Sequence, residues 1–325
     1  MKRFLSLLLV LILSLGILIS CGNEEKAEVK VEVLNGTTGF GMAQLMEKNA
    51  NGETNNNYSF TVQKDATKIQ GDLIAGTVDI AAVPTNLAAA TYNKTNGGIQ
   101  ILAINTLGVL TVMQNADGEK IENIGDLEGK TIYCPAQNPA QILNFILQKN
   151  NINAEVKTSI SSPQELTSAF LSQKTKDESG VEIAIDIDIA VIPQPMATQV
   201  LTKKEQAGYR IALDITEEWN KVSDEELVQG CIVARTDFIE KNPDAIKAFL
   251  AEYESSIKFT NENPAKAAEY IVKYEIAADA KLAEKAIPSC NIVYVVNKDM
   301  KNKMQNFLDE LGIKLSEGNF YYINE

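Results

Sequence analysis

The sequence predicts an α/β protein in which one strand, loop and helix plan is built twice. Three observations carry this expectation. Strand-like and helix-like apolar periods alternate from Val29 to Tyr209. The segment Asp79-Ile80-Ala81-Ala82-Val83-Pro84-Thr85-Asn86-Leu87-Ala88 has a gap-free counterpart in Asp188-Ile189-Ala190-Val191-Ile192-Pro193-Gln194-Pro195-Met196-Ala197, matching at Asp, Ile, Ala, Pro and the final Ala. Each copy is preceded by a strand, loop and helix, Val31 to Asn49 in the first and Thr131 to Asn150 in the second. At 325 residues, 45% hydrophobic and 22% charged, the chain holds enough apolar material for two cores.

The basic start Met1-Lys2-Arg3 and the apolar run Phe4 to Ser20 form the n-region and h-region of an export signal. Ser20 then precedes Cys21, which resembles the lipobox of bacterial lipoproteins, so residues 1–20 are expected to be removed and Cys21 to be diacylated. Residues 21–28 are small and charged, with no apolar period, as suits a flexible tether.

In the body of the chain, Val29, Val31 and Val33 alternate with Lys30 and Glu32, the period of a strand. Asn35 to Gly41 is a glycine-rich loop, after which Met42, Leu45 and Met46 fall at helical spacing. Tyr58 to Val62 reads as a second strand, Ala66 to Ala75 as a short helix, and Val78 to Val83 as a buried strand stopped by Pro84. Ile99 to Met113 gives two apolar strands and Gln114 to Lys120 a polar connection. Gly125 to Gly129 is one residue too tight for a nucleotide-binding loop and precedes a strand instead of following one, so no nucleotide site is expected. Ser162-Pro163-Gln164-Glu165 has the pattern of a capping box.

Beyond about residue 210 helices are expected to dominate. Asn242-Pro243 and Asn263-Pro264 each read as an N-cap followed by proline at the first helical position. The stripes Ile246, Phe249, Leu250, Tyr253, Ile257 and Met300, Met304, Phe307, Leu308, Leu311 are core-facing.

Composition removes several function classes. The chain has no histidine, and so lacks the commonest general base and transition-metal ligand. Loss of the signal removes two cations, Lys2 and Arg3, and no acid, taking the formal charge from −13 to −15. An acidic body argues against nucleic acid. Cys134, Cys231 and Cys290 show no zinc or redox spacing; Cys231 with Cys290 is a conceivable disulfide, with buried free thiols the favoured state.

Taken together, the lipobox at Cys21, the segment Asp126-Leu127-Glu128-Gly129-Lys130-Thr131-Ile132, the paired Asp-Ile-Ala-x-x-Pro segments, and Arg235-Thr236-Asp237-Phe238-Ile239-Glu240-Lys241-Asn242-Pro243 resemble the nitrate, sulfonate and taurine group of ABC substrate-binding proteins. The resemblance implies a type 2 periplasmic-binding protein architecture, with two Rossmann-like lobes joined by crossover strands and a small-molecule solute in the cleft between them. Lobe one is expected over 29–113 plus 210–325, with the C-terminal helices, and lobe two over 114–209. The implied partners are the solute, an ABC permease and its ATPase, and a membrane reached through the lipid anchor alone. The implied state is a monomer without cofactor on the extracytoplasmic face of a bacterial cell membrane. Some relatives in this group build a thiamine pyrimidine from one of their own histidines, an activity that a chain without histidine cannot share.

Ligands of open α/β layers sit at the carboxyl ends of strands, where loops and helix starts converge. Four loops qualify: Gly36, Thr37, Thr38, Gly39 and Phe40; Pro84, Thr85 and Asn86; Gln137 and Asn138; and Gln194 with Pro195. They offer amides and hydroxyls and contain no arginine or lysine. Catalytic and metal-binding residues are not expected. Two other function classes compete: an enzyme on the same fold, which would need a base and nucleophile pair, and a surface sensor that hands its ligand to a signalling partner.

Overall fold

The computed structural model describes residues 26–115, 118–177, 179–203 and 208–324. The expected signal and Cys21 lie outside the described residues. The first unit runs β1 (Glu28–Leu34), α1 (Thr37–Phe40), α2 (Ala43–Ala50), β2 (Asn57–Gln63), α3 (Ala66–Ala75), β3 (Ile80–Pro84), α4 (Thr85–Lys94) and β4 (Ile99–Leu107). The second runs β5 (Leu110–Asn115), β6 (Thr131–Tyr133), α5 (Asn138–Lys149), β7 (Glu155–Lys157), α6 (Pro163–Ser172), a hairpin of β8 (Lys174–Lys176) and β9 (Glu182–Ala184), β10 (Ile189–Pro193), α7 (Met196–Lys203), β11 (Tyr209–Asp214) and α8 (Ile215–Asn220). The chain then forms β12 (Val228–Arg235), α9 (Thr236–Lys241), α10 (Pro243–Glu262), α11 (Pro264–Lys273), α12 (Ala280–Ala286), β13 (Ile292–Val295) and α13 (Asn297–Glu310).

Among the described residues the strands form a six-stranded sheet ordered β13-β4-β12-β3-β1-β2, a five-stranded sheet ordered β11-β5-β10-β6-β7, and the separate β8–β9 pair. The duplication is visible in these orders. β3, β1 and β2 are parallel neighbours in one sheet, and β10, β6 and β7 are parallel neighbours in the other. An antiparallel strand, β12 in the first sheet and β5 in the second, flanks each set.

The sheets place the first crossing earlier than the expected end of lobe one at residue 113, and the return later than residue 210, beyond Asn220. β5 and β11 both belong to the second sheet, so the chain crosses at Gly108-Val109 and returns between α8 and β12. The sequence hid the first crossing because the two apolar strands β4 and β5 are separated only by Gly108 and Val109, a link as short as that of a hairpin within one sheet. Helices do follow residue 210, but β12 lies among them. Its residues Cys231 to Ala234 are buried on both faces between β3 and β4, which erases the period-two signal of a strand. The β8–β9 hairpin fills the link from α6 to β10, for which the shorter link from α3 to β3 gave no precedent.

Local terms explain the helix starts. Asp65 caps α3 by accepting from Thr67 N, and Ser162 caps α6 by accepting from Glu165 N. Asn242 and Asn263 do precede prolines at the starts of α10 and α11, but neither side chain caps its helix. Each amide instead donates backwards, to Phe238 O and Phe259 O, closing the preceding helix. Both expected apolar stripes face the core, with Leu311 only partly buried. Trp219 on α8 is fully buried between Phe145 of α5 and Phe307 of α13, at ring-centroid distances of 4.6 and 5.6 Å, so one aromatic group ties the lobes together behind the cleft.

Candidate functional site

The carboxyl ends of β1, β2 and β3 face those of β6, β7 and β10 across a cleft of about 490 Å³. Lobe one builds its wall on β1. Gly36 takes φ 102°, a conformation open to glycine, and its N–H donates to Ile276 O at 3.1 Å. The Thr38 carbonyl behind the loop accepts from Asn105 Nδ2 at 2.9 Å, and the same amide donates to Tyr253 Oη at 3.0 Å. A buried polar network therefore sets the loop on the core. Gly36, Thr37 and Thr38 line the cleft. Gly39 does not: a β-carbon there would come within 2.3 Å of Leu34 O, so glycine lets the turn pack down. Phe40 lies fully buried in the core, beneath the loop.

After β3, Pro84 and Asn86 reach the cleft, while Thr85 is fully buried, its hydroxyl donating to Val228 O at 3.0 Å. Lobe two answers with Gln137 and Asn138. Gln137 adopts φ 66°, ψ −123°, a costly backbone for a residue with a side chain, and leads into α5 with no side-chain cap. Asn138 is buried and donates from Nδ2 to Thr85 Oγ1 at 3.2 Å, a hydrogen bond between the lobes. Gln194 lines the cleft with its Oε1 accepting from Thr198 N and Oγ1, at 3.2 and 2.7 Å. Pro195, joined to it by a cis peptide, is buried away from the cleft lining.

Eight of the twelve residues singled out from sequence thus share one cleft, and Gly39, Phe40, Thr85 and Pro195 stand behind it. Sequence reasoning passed over two further loops, Lys64 to Thr67 after β2 and Ser161 to Gln164 after β7, together with Thr106 and Gln229 near the crossovers. The repeat contained the signal, since β2 and β7 occupy equivalent places and their carboxyl ends must reach the same edge. Lys64 also puts a cation at the cleft, which the four expected loops lacked.

Helices α3, α4, α5 and α6 all start at this cleft, and α4 and α5 begin without side-chain caps, at Pro84 and Gln137. Their first-turn N–H groups give the site a positive tilt. The hydrogen bonds from Thr67 to Asp65 hold that carboxyl below its ordinary range, so it stays ionised beside Lys64. The free thiols of Cys134, Cys231 and Cys290 are buried, and burial pushes each upward, away from the nucleophilic thiolate. The arrangement offers amide, hydroxyl and main-chain hydrogen bonds to a small polar molecule.

Residues 60–267 match the family model described as NMT1/THI5 like. A candidate binding protein of Brucella abortus is 24% identical over 214 residues, which cover 65% of this chain and 60% of that protein. The match thus spans three-fifths of that relative's length. Among solved structures, an ABC transporter protein of Parabacteroides distasonis superposes with a TM-score of 0.71 at 19% identity, covering 92% of this chain and 100% of that one. The alkanesulfonate-binding protein of Xanthomonas axonopodis pv. citri, bound to MOPS, gives a TM-score of 0.66 at 10% identity over 90% of this chain and 96% of that one. A Candida albicans protein with the generic periplasmic binding protein fold gives 0.59 at 13% identity, over 90% and 92%. At these identities the structural likeness establishes the fold, that of periplasmic binding proteins.

Proposed function

The chain belongs to the NMT1/THI5-like family, and on that premise we propose that it is an extracytoplasmic solute-binding protein, lipid-anchored at Cys21, that delivers a small organic solute to an ABC importer. The observation that carries this reading is the convergence of matching loops from both lobes on one cleft, with the chain crossing between lobes, among the described residues, only at Gly108-Val109 and between α8 and β12. Such a layout lets two rigid bodies close on a guest. With no histidine anywhere in the chain, the pyrimidine-building chemistry of some relatives has no donor residue, which favours binding over turnover. Among the described residues no helix is long and apolar enough to cross a membrane.

Native mass spectrometry of the purified chain, followed by calorimetry with any retained solute, tests the binding function. Stoichiometric, unmodified release of a small molecule is expected, and its conversion to product would refute the reading. For the anchor, Cys21→Ser should abolish fatty-acid labelling and shift the protein out of the membrane fraction; unchanged labelling would move the anchor elsewhere.

A further inference from the structure

Resting on the solute-binding reading above, we propose that the cleft selects organic solutes that donate hydrogen bonds through N–H or O–H groups, over acceptor-only oxyanions such as nitrate, sulfate or an alkanesulfonate. The orientation of one amide decides this. Val228 O is a main-chain carbonyl and can only accept, so the Thr85 hydroxyl gives it its single proton, at 3.0 Å. Thr85 Oγ1 is then left as an acceptor, and the atom that meets it at 3.2 Å must be the Asn138 amide nitrogen. Turned over, the amide would set its oxygen against a hydroxyl oxygen whose proton is already committed. The chain of partners therefore fixes Asn138 Oδ1 as the free end of the side chain.

Asn138 is 4% exposed and lines the cleft, and its Oδ1 has no hydrogen-bond partner among the described residues. Asn86, which lines the same cleft from lobe one, holds a second buried oxygen without a partner there. A buried carbonyl oxygen that has lost water and gained no donor is destabilising. A solute that brings N–H or O–H groups to these two oxygens satisfies both. An acceptor-only oxyanion would instead place lone pairs against lone pairs. An acidic group elsewhere on the same solute remains compatible with Lys64 and the uncapped helix starts.

The test is calorimetric titration of the full chain with size-matched probes: methanesulfonamide against methanesulfonate, butanamide against butanoate, and nitrate and sulfate as bare oxyanions. A small-molecule extract of bacterial cells, screened by native mass spectrometry, covers solutes outside this panel. The expected result is that each neutral donor binds more tightly than its anion, and that solutes retained from the extract carry N–H or O–H groups. Asn138→Leu should weaken the best donor-bearing probe about tenfold to a hundredfold, the effect of one lost buried hydrogen bond. Melting curves should show that Asn138→Leu folds. Should Asn138→Leu fail to fold, Asn86→Leu carries the same comparison. An oxyanion that binds as tightly as its neutral partner and is unaffected by these variants would overturn the proposal. If neither panel nor extract yields a bound solute, the solute-binding reading itself falls, and this proposal with it.

Discussion

Residues of the repeated loops divide according to where their side chains end. Asn86 and Gln194 reach the cleft, so alanine at either should weaken solute binding by about one to two orders of magnitude; Asn86→Ala should change the melting temperature of the free protein little, whereas Gln194→Ala should lower it, because Gln194 Oε1 also accepts from Thr198 N and Oγ1. Thr85 directly precedes Asn86 and matches Gln194 in the repeat, yet is buried against Val228 O, 143 residues away. Thr85→Ala should therefore cost about 1–3 kcal/mol of stability, read by chemical denaturation without ligand, and Thr85→Ser should cost much less. No local pattern distinguishes Thr85 from Asn86, because the difference lies in a partner that only folding brings near. Glu32 offers a second residue-scale test. It is 7% exposed, accepts from Gln63 Nε2, and faces the Asp72 carboxylate, which is itself held low by Lys68. Burial first, and then the neighbouring Asp72, push Glu32 above its ordinary value of 4.5. A raised carboxyl stabilises the fold below the unfolded pKa and loses that contribution as pH rises through the folded pKa. Glu32→Gln should accordingly raise the melting temperature at neutral pH by roughly 2–4 °C, with the gain vanishing below about pH 4.5. An equal gain at both pH values would mean that the carboxyl does not titrate as its surroundings dictate.

At the scale of elements, the crossing from β4 to β5 is the most constrained segment. A β-carbon at Gly108 would come within 2.1 Å of Thr216 Oγ1 and 3.0 Å of Leu227 Cδ2, the elements of the return crossing. The two crossovers thus touch at a point with no room for a side chain. Gly108→Ala should destabilise by about 1–3 kcal/mol through overpacking, and pairing it with Thr216→Ala should recover part of the loss in a double-mutant cycle. Strict additivity of the two would show that the contact does not couple the crossovers. Most elements were readable from their own residues: α3 spans the expected Ala66–Ala75, and Val29, Val31 and Val33 mark β1. β12 was not, since burial on both faces removes alternation, and neither were the back-bonded Asn242 and Asn263, whose amides have two helices within reach.

For the whole molecule, the two lobes meet at more than the cleft. Trp219, the single tryptophan of the chain, lies between aromatic rings from both lobes, and Lys149 on α5 stands 3.6 Å from Glu310 on α13. Movement of one lobe on the other must shift the surroundings of this indole. Saturation with the solute identified by mass spectrometry should therefore change Trp219 emission and reduce the radius of gyration in small-angle scattering together. A bound solute that changes neither would show that the lobes stay fixed on binding.

The sequence by itself determined the duplicated α/β plan, the loops that end on the cleft, and the core faces of the long helices. These follow from periodicity and from matched order along the chain, which are local or repeat-level properties. Only the tertiary structure decided that β5 joins the second sheet, that Lys64 and Ser161 to Gln164 complete the site, and that Thr85 turns inward while Asn138 presents an oxygen. Each of those outcomes depends on which distant group meets a hydrogen-bonding atom. The one proton of a hydroxyl at Thr85, committed to a carbonyl in β12, then orients the amide at Asn138 on the opposite lobe.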